Sequence, residues 1–326
     1  MLDAMAHANL GNDGLREDPT VNELEEYAAS LLGKDAALFV PSGTMGNLVA
    51  LLSYTNRGDT FLAEGRAHVI THESGYSDIA QLNVRRLRSN FGIIDPEAID
   101  EAIKNSQEKL PRLLLLENTH NEWGGAVVPS ADMKAIYQRS HAHGVPVHLD
   151  GARIFNAATY LKEDVRNISG SSDSVMFCLS KGLCAPVGSM VAGSEEFIAR
   201  CRASRKLLGG GMRQAGVLAA AGLYALKFMI PRLSEDHKNA AILAAGLSKF
   251  DDFTIDLSSV KTNIVLFGIS SSSRLNQSSL TQKLATHGIK VSPRADGLIR
   301  CVTHKDISED DIHYTLEALK KITNSS

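Results

Sequence analysis

Four cysteines, one tryptophan and nine prolines in 326 residues leave this chain without the usual devices of a small secreted domain. Cys178, Cys184, Cys201 and Cys301 form no C-x-x-C and no Cys/His pair at zinc spacing, so neither a disulfide framework nor a structural metal is expected. No apolar run approaches the roughly 18 residues of a spanning helix. The opening Met1-Leu2-Asp3-Ala4-Met5-Ala6-His7 lacks the basic stretch and apolar run of a secretory signal. Charge of one sign is also missing: 34 Lys+Arg against 37 Asp+Glu give a formal net charge of -3. Such a balance supplies no field to hold the chain on nucleic acid or an anionic membrane. The expected setting is a reducing cytoplasm, and the expected partner is a small molecule.

What is present is an ordinary globular composition, 44% apolar and 22% charged, sufficient for a sizeable core. Apolar runs of strand length alternate with amphipathic runs of helix length, the pattern of an α/β fold on a mainly parallel sheet. Pro19-Thr20 opens a helix that Gly33 ends. Strands are expected at 37–40, 60–63, 113–116, 145–149, 174–178 and 189–192, with helices starting at Pro96 and Ser130 between them. After Gly209-Gly210-Gly211 the texture changes to Ala-rich helix, a second long helix from about Pro231, and shorter strands at 260–267, 289–291 and 298–302. Helices are expected near Leu280–His287 and Glu309–Lys321. The division expected is an N-terminal segment 1–17, a large domain 18–230 and a smaller α+β domain 231–326. Ser270–Ser273 reads as a solvated loop.

Lys181, flanked by Ser180 and Gly182, directly follows the apolar strand Val175-Met176-Phe177-Cys178-Leu179, which puts its amine at the carboxyl edge of the sheet, where open α/β sheets bind ligands. Asp150 ends Val147-His148-Leu149 at the same edge, with Arg153 three residues on. A lysine that forms a Schiff base must lose its proton, and pyridoxal phosphate chemistry also requires a carboxylate on the pyridine nitrogen. The same residues also fit a strand-end cap and a surface ion pair. Pro41-Ser42-Gly43-Thr44 leads a strand into a helix, offering backbone N–H groups, a hydroxyl and a helix N-terminus to a phosphate, or a plain N-cap.

Six runs, in order, resemble the low-specificity L-threonine aldolases: Glu17-Asp18-Pro19-Thr20-Val21-Asn22, Phe39-Val40-Pro41-Ser42-Gly43-Thr44-Met45-Gly46-Asn47, Leu116-Glu117-Asn118-Thr119-His120-Asn121, His148-Leu149-Asp150-Gly151-Ala152-Arg153, Leu179-Ser180-Lys181-Gly182 and Gly209-Gly210-Gly211-Met212-Arg213-Gln214. The resemblance implies the aspartate-aminotransferase fold (fold type I), pyridoxal 5'-phosphate as cofactor, and a homo-oligomer, a dimer of dimers, with active sites between subunits. It makes Lys181 the lysine that carries the cofactor and Asp150 the partner of the pyridine nitrogen. Arg153 would lie beside the cofactor oxygen and the substrate carboxylate, Gly43 and Thr44 would hold the phosphate, and Arg213 would stand on the phosphate side. His68 matches the histidine stacked on the ring, His120 the one near the substrate hydroxyl, and Arg300 the arginine on the α-carboxylate. His120 is the first choice as base for the hydroxyl proton and His68 the second.

Where the family reads Asp-Asp-Val-Tyr-Gly this chain has Asn12-Asp13-Gly14-Leu15-Arg16, losing a tyrosine. Family members also begin with an Arg-Ser-Asp-Thr stretch ahead of the segment matching Met1–Met5, and one substrate contact is expected to be missing with it. Cys184 replaces a usual glycine, and His72 stands where an aromatic residue is usual. The implied activity is cleavage of L-threonine, L-allo-threonine and other β-hydroxy-α-amino acids to glycine and an aldehyde. Alanine racemisation on the same scaffold and an impaired homologue are the alternatives.

Overall fold

In the computed structural model, which describes residues 1–106 and 109–324, the first long helix runs Pro19–Leu32. The Asp18 carboxylate accepts from the backbone N–H groups of Thr20 and Val21, Pro19 occupies the turn where no N–H is needed, and Gly33 ends the helix at φ 65°. Ser325 and Ser326, which close the expected small domain, lie outside the described residues. The chain divides into two compact units, Met1–Glu122 with Val128–Pro231, and Trp123–Val127 with Arg232–Ser326.

In the first unit the described residues form a seven-stranded sheet from β1 (Ala36–Val40), β2 (Thr60–Glu64), β3 (Asn83–Leu87), β4 (Leu113–Glu117), β5 (Val147–Asp150), β6 (Ser174–Cys178) and β7 (Ser189–Gly193). Its order is β1-β7-β6-β5-β4-β2-β3. Only β7 is antiparallel to its neighbours. β4 to β7 are buried along their whole length, as strands covered by helices on both faces must be. Because β1, β5 and β6 are parallel, Pro41-Ser42-Gly43, Asp150 and Ser180-Lys181 all emerge at one edge. β3 was not expected: its Asn83-Val84-Arg85-Arg86-Leu87 has little apolar content, and it is the outermost strand, where a half-solvated surface tolerates charge.

The second unit holds a four-stranded antiparallel sheet of β8 (Phe253–Thr254), β9 (Ile264–Ile269), β10 (Ser292–Pro293) and β11 (Ile299–Val302), in the order β8-β9-β11-β10. Helices Leu233–Leu247, Gln277–Thr286 and Glu309–Asn324 pack on it around Leu243, Phe253, Val265, Phe267, Ile299 and Leu319. The strand expected at 289–291 is displaced to Ser292–Pro293. Only those two residues find partners on β11, and Pro293 is admissible because β10 is the outermost strand. Likewise β9 begins at Ile264, not at Val260, which caps a short turn after Leu257–Ser259. Trp123–Val127 belongs with this unit. Its Gly125 O accepts from Thr262 Oγ1 at 3.1 Å, and a Cβ on Gly125, at φ 74°, would meet that Oγ1 at 2.5 Å.

The segment before Pro19 is tied down by buried charge. Asp13 Oδ2 accepts from Arg205 Nη2 at 2.9 Å, with side-chain exposures of 1% and 3%. Arg205 Nη1 also donates to Phe39 O at the end of β1, while the backbone N–H of Asp13 donates to Arg213 O. Removing one partner of a buried pair strands the other charge, at about 3–5 kcal/mol. Asp13→Ala is therefore expected to lower the stability of the first unit in urea by about that amount; a loss under about 1 kcal/mol would show that the pair is solvated.

Candidate active site

At the sheet edge a cavity of about 300 Å³ is lined by Ser42, Gly43, Thr44, Asn47, His68, Glu73, Asp150, Cys178, Ser180 and Lys181 among others. The turn after β1 supplies its first wall. Ser42 caps helix Gly43–Tyr54 by accepting from Met45 N at 3.1 Å, which leaves the first N–H groups of the helix facing the cavity. Glycine is required twice here: a Cβ on Gly43 would lie 2.9 Å from Cys178 Sγ, and one on Gly46 2.6 Å from Met176 Cγ. The helix can therefore press onto β6.

Asp150, 1% exposed, ends β5. Its Oδ1 accepts from Ala152 N at 3.0 Å and its Oδ2 from Asn47 Nδ2 at 2.9 Å. Lys181 follows β6 in a tight turn, in which Cys184 N donates to Lys181 O and Ala185 N to Leu179 O. Cys184 takes φ 62°, a left-handed conformation that suits the glycine usual in the family. Arg153, beside Asp150, Glu117 and Cys178, is half-buried and does not line the cavity, and its buried Nε has no partner among the described residues.

Two histidines of the expected site differ sharply. His68 lines the cavity, its Nε2 3.8 Å from Glu73 Oε1. Burial, with the charges of Lys181, His72 and Arg153 added and that of Asp150 opposing, lowers it to about 4, so it is neutral near pH 7. His120 is fully buried and does not line the cavity. Its Nε2 lies 2.9 Å from Glu64 Oε2 and 3.8 Å from Glu117 Oε2. Burial opposes its protonation, but the two carboxylates outweigh burial and raise its pKa. Burial likewise opposes ionisation of Glu64, yet the bonds from His120 and Ser89 prevail and bring it down to about 2. An imidazole held in this way is a donor to carboxylates. Glu117 links the two histidines, since its Oε2 accepts from the backbone N–H of His68 at 2.7 Å. Gly92, at φ 85°, leaves room for the His120 ring, which a Cβ there would approach to 2.8 Å.

The remaining expected residues stand outside the cavity wall. Arg213 is exposed, its Nη1 3.4 Å from Asn12 Oδ1. Arg300 lies on β11 of the second unit, opposite Leu266 and Ser292. His72 stacks against His68 with ring centroids 4.9 Å apart, and its Nε2 lies 2.8 Å from Glu122 Oε1. Leu15, in place of the family tyrosine, is 65% exposed. Asn47 and Glu73, which sequence reasoning left without a role, are cavity walls. Asn47 stands in the quoted Met45-Gly46-Asn47 run, and Glu73 follows His72, so position alone signalled both.

The donor set fits pyridoxal phosphate. The cavity offers an amine, a buried carboxylate for the ring nitrogen, an imidazole face, and a helix N-terminus cleared by Gly43 for an anion. Polar atoms Arg153 Nε, His68 Nδ1 and Asn47 Oδ1 are buried with protein partners lacking among the described residues.

A family model for beta-eliminating lyases matches residues 1–270. Low-specificity L-threonine aldolase 1 of Arabidopsis thaliana is 39% identical over 328 residues, covering 98% of this chain and 92% of that protein. The low specificity L-threonine aldolase of Escherichia coli K12 is 38% identical over 327 residues, covering 96% and 92%. The solved threonine aldolase of Leishmania major superposes with a TM-score of 0.83 at 21% identity, covering 99% and 95%, and shows the same fold, the fold type I architecture. The chain belongs to the beta-eliminating lyase family, and the curated relatives named above are low-specificity L-threonine aldolases.

Proposed function

We propose that this protein is a pyridoxal phosphate-dependent lyase that cleaves L-threonine and L-allo-threonine, with other β-hydroxy-α-amino acids, to glycine and an aldehyde. The observation that carries the reading is one cavity holding Lys181, Asp150, His68 and the Ser42-Gly43-Thr44 helix start together, in a chain 39% identical to a named L-threonine aldolase. When bound, pyridoxal phosphate supplies an electron sink for a bond broken at the substrate Cα.

The chain's own residues would do the rest. Lys181 would hold the cofactor covalently. Asp150 keeps a proton on the ring nitrogen through a charge-assisted hydrogen bond, worth roughly 1.5–3 kcal/mol. Gly43 and Thr44 would hold the phosphate, and Arg153 would serve the ring oxygen. Arg300 and Arg153 would bind the α-carboxylate and so orient the substrate. A neutral imidazole is suited to accept the hydroxyl proton at pH 7. Since His120 is committed to Glu64, His68 is assigned that step. His120 is assigned a positioning role, acting through Glu117 on the His68 backbone. The protein is further read as a cytoplasmic homo-oligomer, a dimer of dimers.

The test is turnover of both threonine diastereomers and of L-alanine by the purified protein with pyridoxal phosphate. Glycine and acetaldehyde from threonine, with alanine unchanged, is the expected outcome; racemised alanine without glycine would overturn it. Lys181→Ala is expected to abolish both glycine formation and the visible absorbance of the bound cofactor, and either one surviving at wild-type level would remove Lys181 from the role.

Arg300→Lys exchanges a planar fork for a point charge, which cannot grip a carboxylate bidentately. A rise in KM for threonine of about ten- to a hundred-fold is expected, with kcat less affected. Wild-type KM and kcat would place Arg300 outside the substrate site.

A further inference from the structure

Asn47 and Glu73 join Asp150 in one buried group. The Asn47 side chain, on helix Gly43–Tyr54 and fully buried, donates from Nδ2 to Asp150 Oδ2 at 2.9 Å and lies 3.3 and 3.5 Å from the two oxygens of Glu73. An amide nitrogen carries two protons, so one can serve each carboxyl. Both oxygens of Asp150 accept N–H groups, an arrangement that suits an ionised carboxylate. Glu73, 8% exposed, accepts from the Thr44 side chain and has His68 Nε2 at 3.8 Å. Two buried carboxylates sharing one amide repel each other in a medium of low polarity, and the cheaper state has one of them protonated.

We propose that Glu73 is a positioning residue for Asp150: joined by the Asn47 amide, the two carboxyls act as one unit carrying a single negative charge, on Asp150, and a single proton, on Glu73. The inference rests on the reading above that Asp150 faces the ring nitrogen of bound pyridoxal phosphate. The groups facing Glu73 are Asp150 at the end of β5, Lys181 after β6, Asn47 and Thr44 on helix Gly43–Tyr54, and His68. His72, Arg153 and Glu117 face His68 or Asp150 in turn. Burial, and then the charge of Asp150, push the Glu73 carboxyl up to about 7, against the bonds from Asn47 and Thr44 and the charge of Lys181. Below that pH the wall carries one negative charge beside the ring; above it the wall carries two. The second charge strengthens the hold of the bound cofactor's basic nitrogens on their protons, so the electronic state of the ring responds to Glu73.

The experiment is a pH titration, from 5 to 9, of the visible absorbance of the holoenzyme in the wild type and in Glu73→Gln and Glu73→Asp. The wild type is expected to show a step near pH 7 that is absent from Glu73→Gln and retained, moved in pH, in Glu73→Asp. A step that Glu73→Gln removes and Glu73→Asp only moves follows the carboxyl at position 73 and not His72, Arg153 or Glu117, which both variants keep. A Glu73→Gln curve superimposable on the wild type would overturn the proposal while leaving the proposed function standing. A wild type that never develops cofactor absorbance would overturn both. Should Glu73→Gln fail to load the cofactor, Glu73→Asp decides: a moved step supports the proposal and an unmoved one contradicts it.

Discussion

A carboxylate buried at the end of a central strand is the constraint around which the first unit is arranged. Asp150 is 1% exposed, and an isolated charge in such surroundings would be expelled or neutralised. The fold supplies its donors from two directions. The turn after β5 offers Ala152 N, and it can be that tight because Gly151 donates to Met176 O from a position where a Cβ would sit 3.0 Å from that same oxygen. The helix after β1 offers Asn47, which reaches Asp150 because Gly43 and Gly46 let the helix lie directly on Cys178 and Met176. The strand order then places Lys181, from β6, beside the same edge. The cavity follows from satisfying one charge.

A second buried system, of mixed sign, backs the first. Glu64 ends β2 and Glu117 ends β4, on neighbouring strands, and His120 bridges them. Glu64 is further held by Ser89 Oγ at 2.6 Å and Arg66 N at 2.5 Å, and Glu117 by the backbone N–H groups of His68 and Asn121. The charges compensate one another inside the protein. Their effect at the cavity is to fix the backbone at His68, whose ring remains neutral and in the wall.

The parts of this arrangement legible in the sequence are those written locally. An apolar run ending in Asp150, another ending beside Lys181, and a Ser-Gly-Thr helix start each announce a strand end or a cap, and parallel strands must bring such ends to one edge. The helix boundaries at Asp18-Pro19 and Gly33 are local too. What escaped depends on distant partners. Asn47 meets Asp150 across 103 residues and Glu73 across 26, and His120 meets Glu64 across 56. A histidine in a polar motif reads as a base, and only the fold shows that its Nε2 meets the Glu64 carboxylate. The weak strand β3 and the shifted β10 escaped for a related reason, since outermost strands are set by their neighbours more than by their own apolar pattern.

We place the chemistry of this protein at the sheet edge where Lys181 and Asp150 line one cavity. Reduction of the pyridoxal phosphate-loaded protein with borohydride, followed by peptide mass mapping, tests it most directly. A pyridoxyl group fixed on the peptide containing Lys181, at about one per chain, is the result this account predicts. Label on another lysine, or none in a protein that nonetheless turns over threonine, would contradict it.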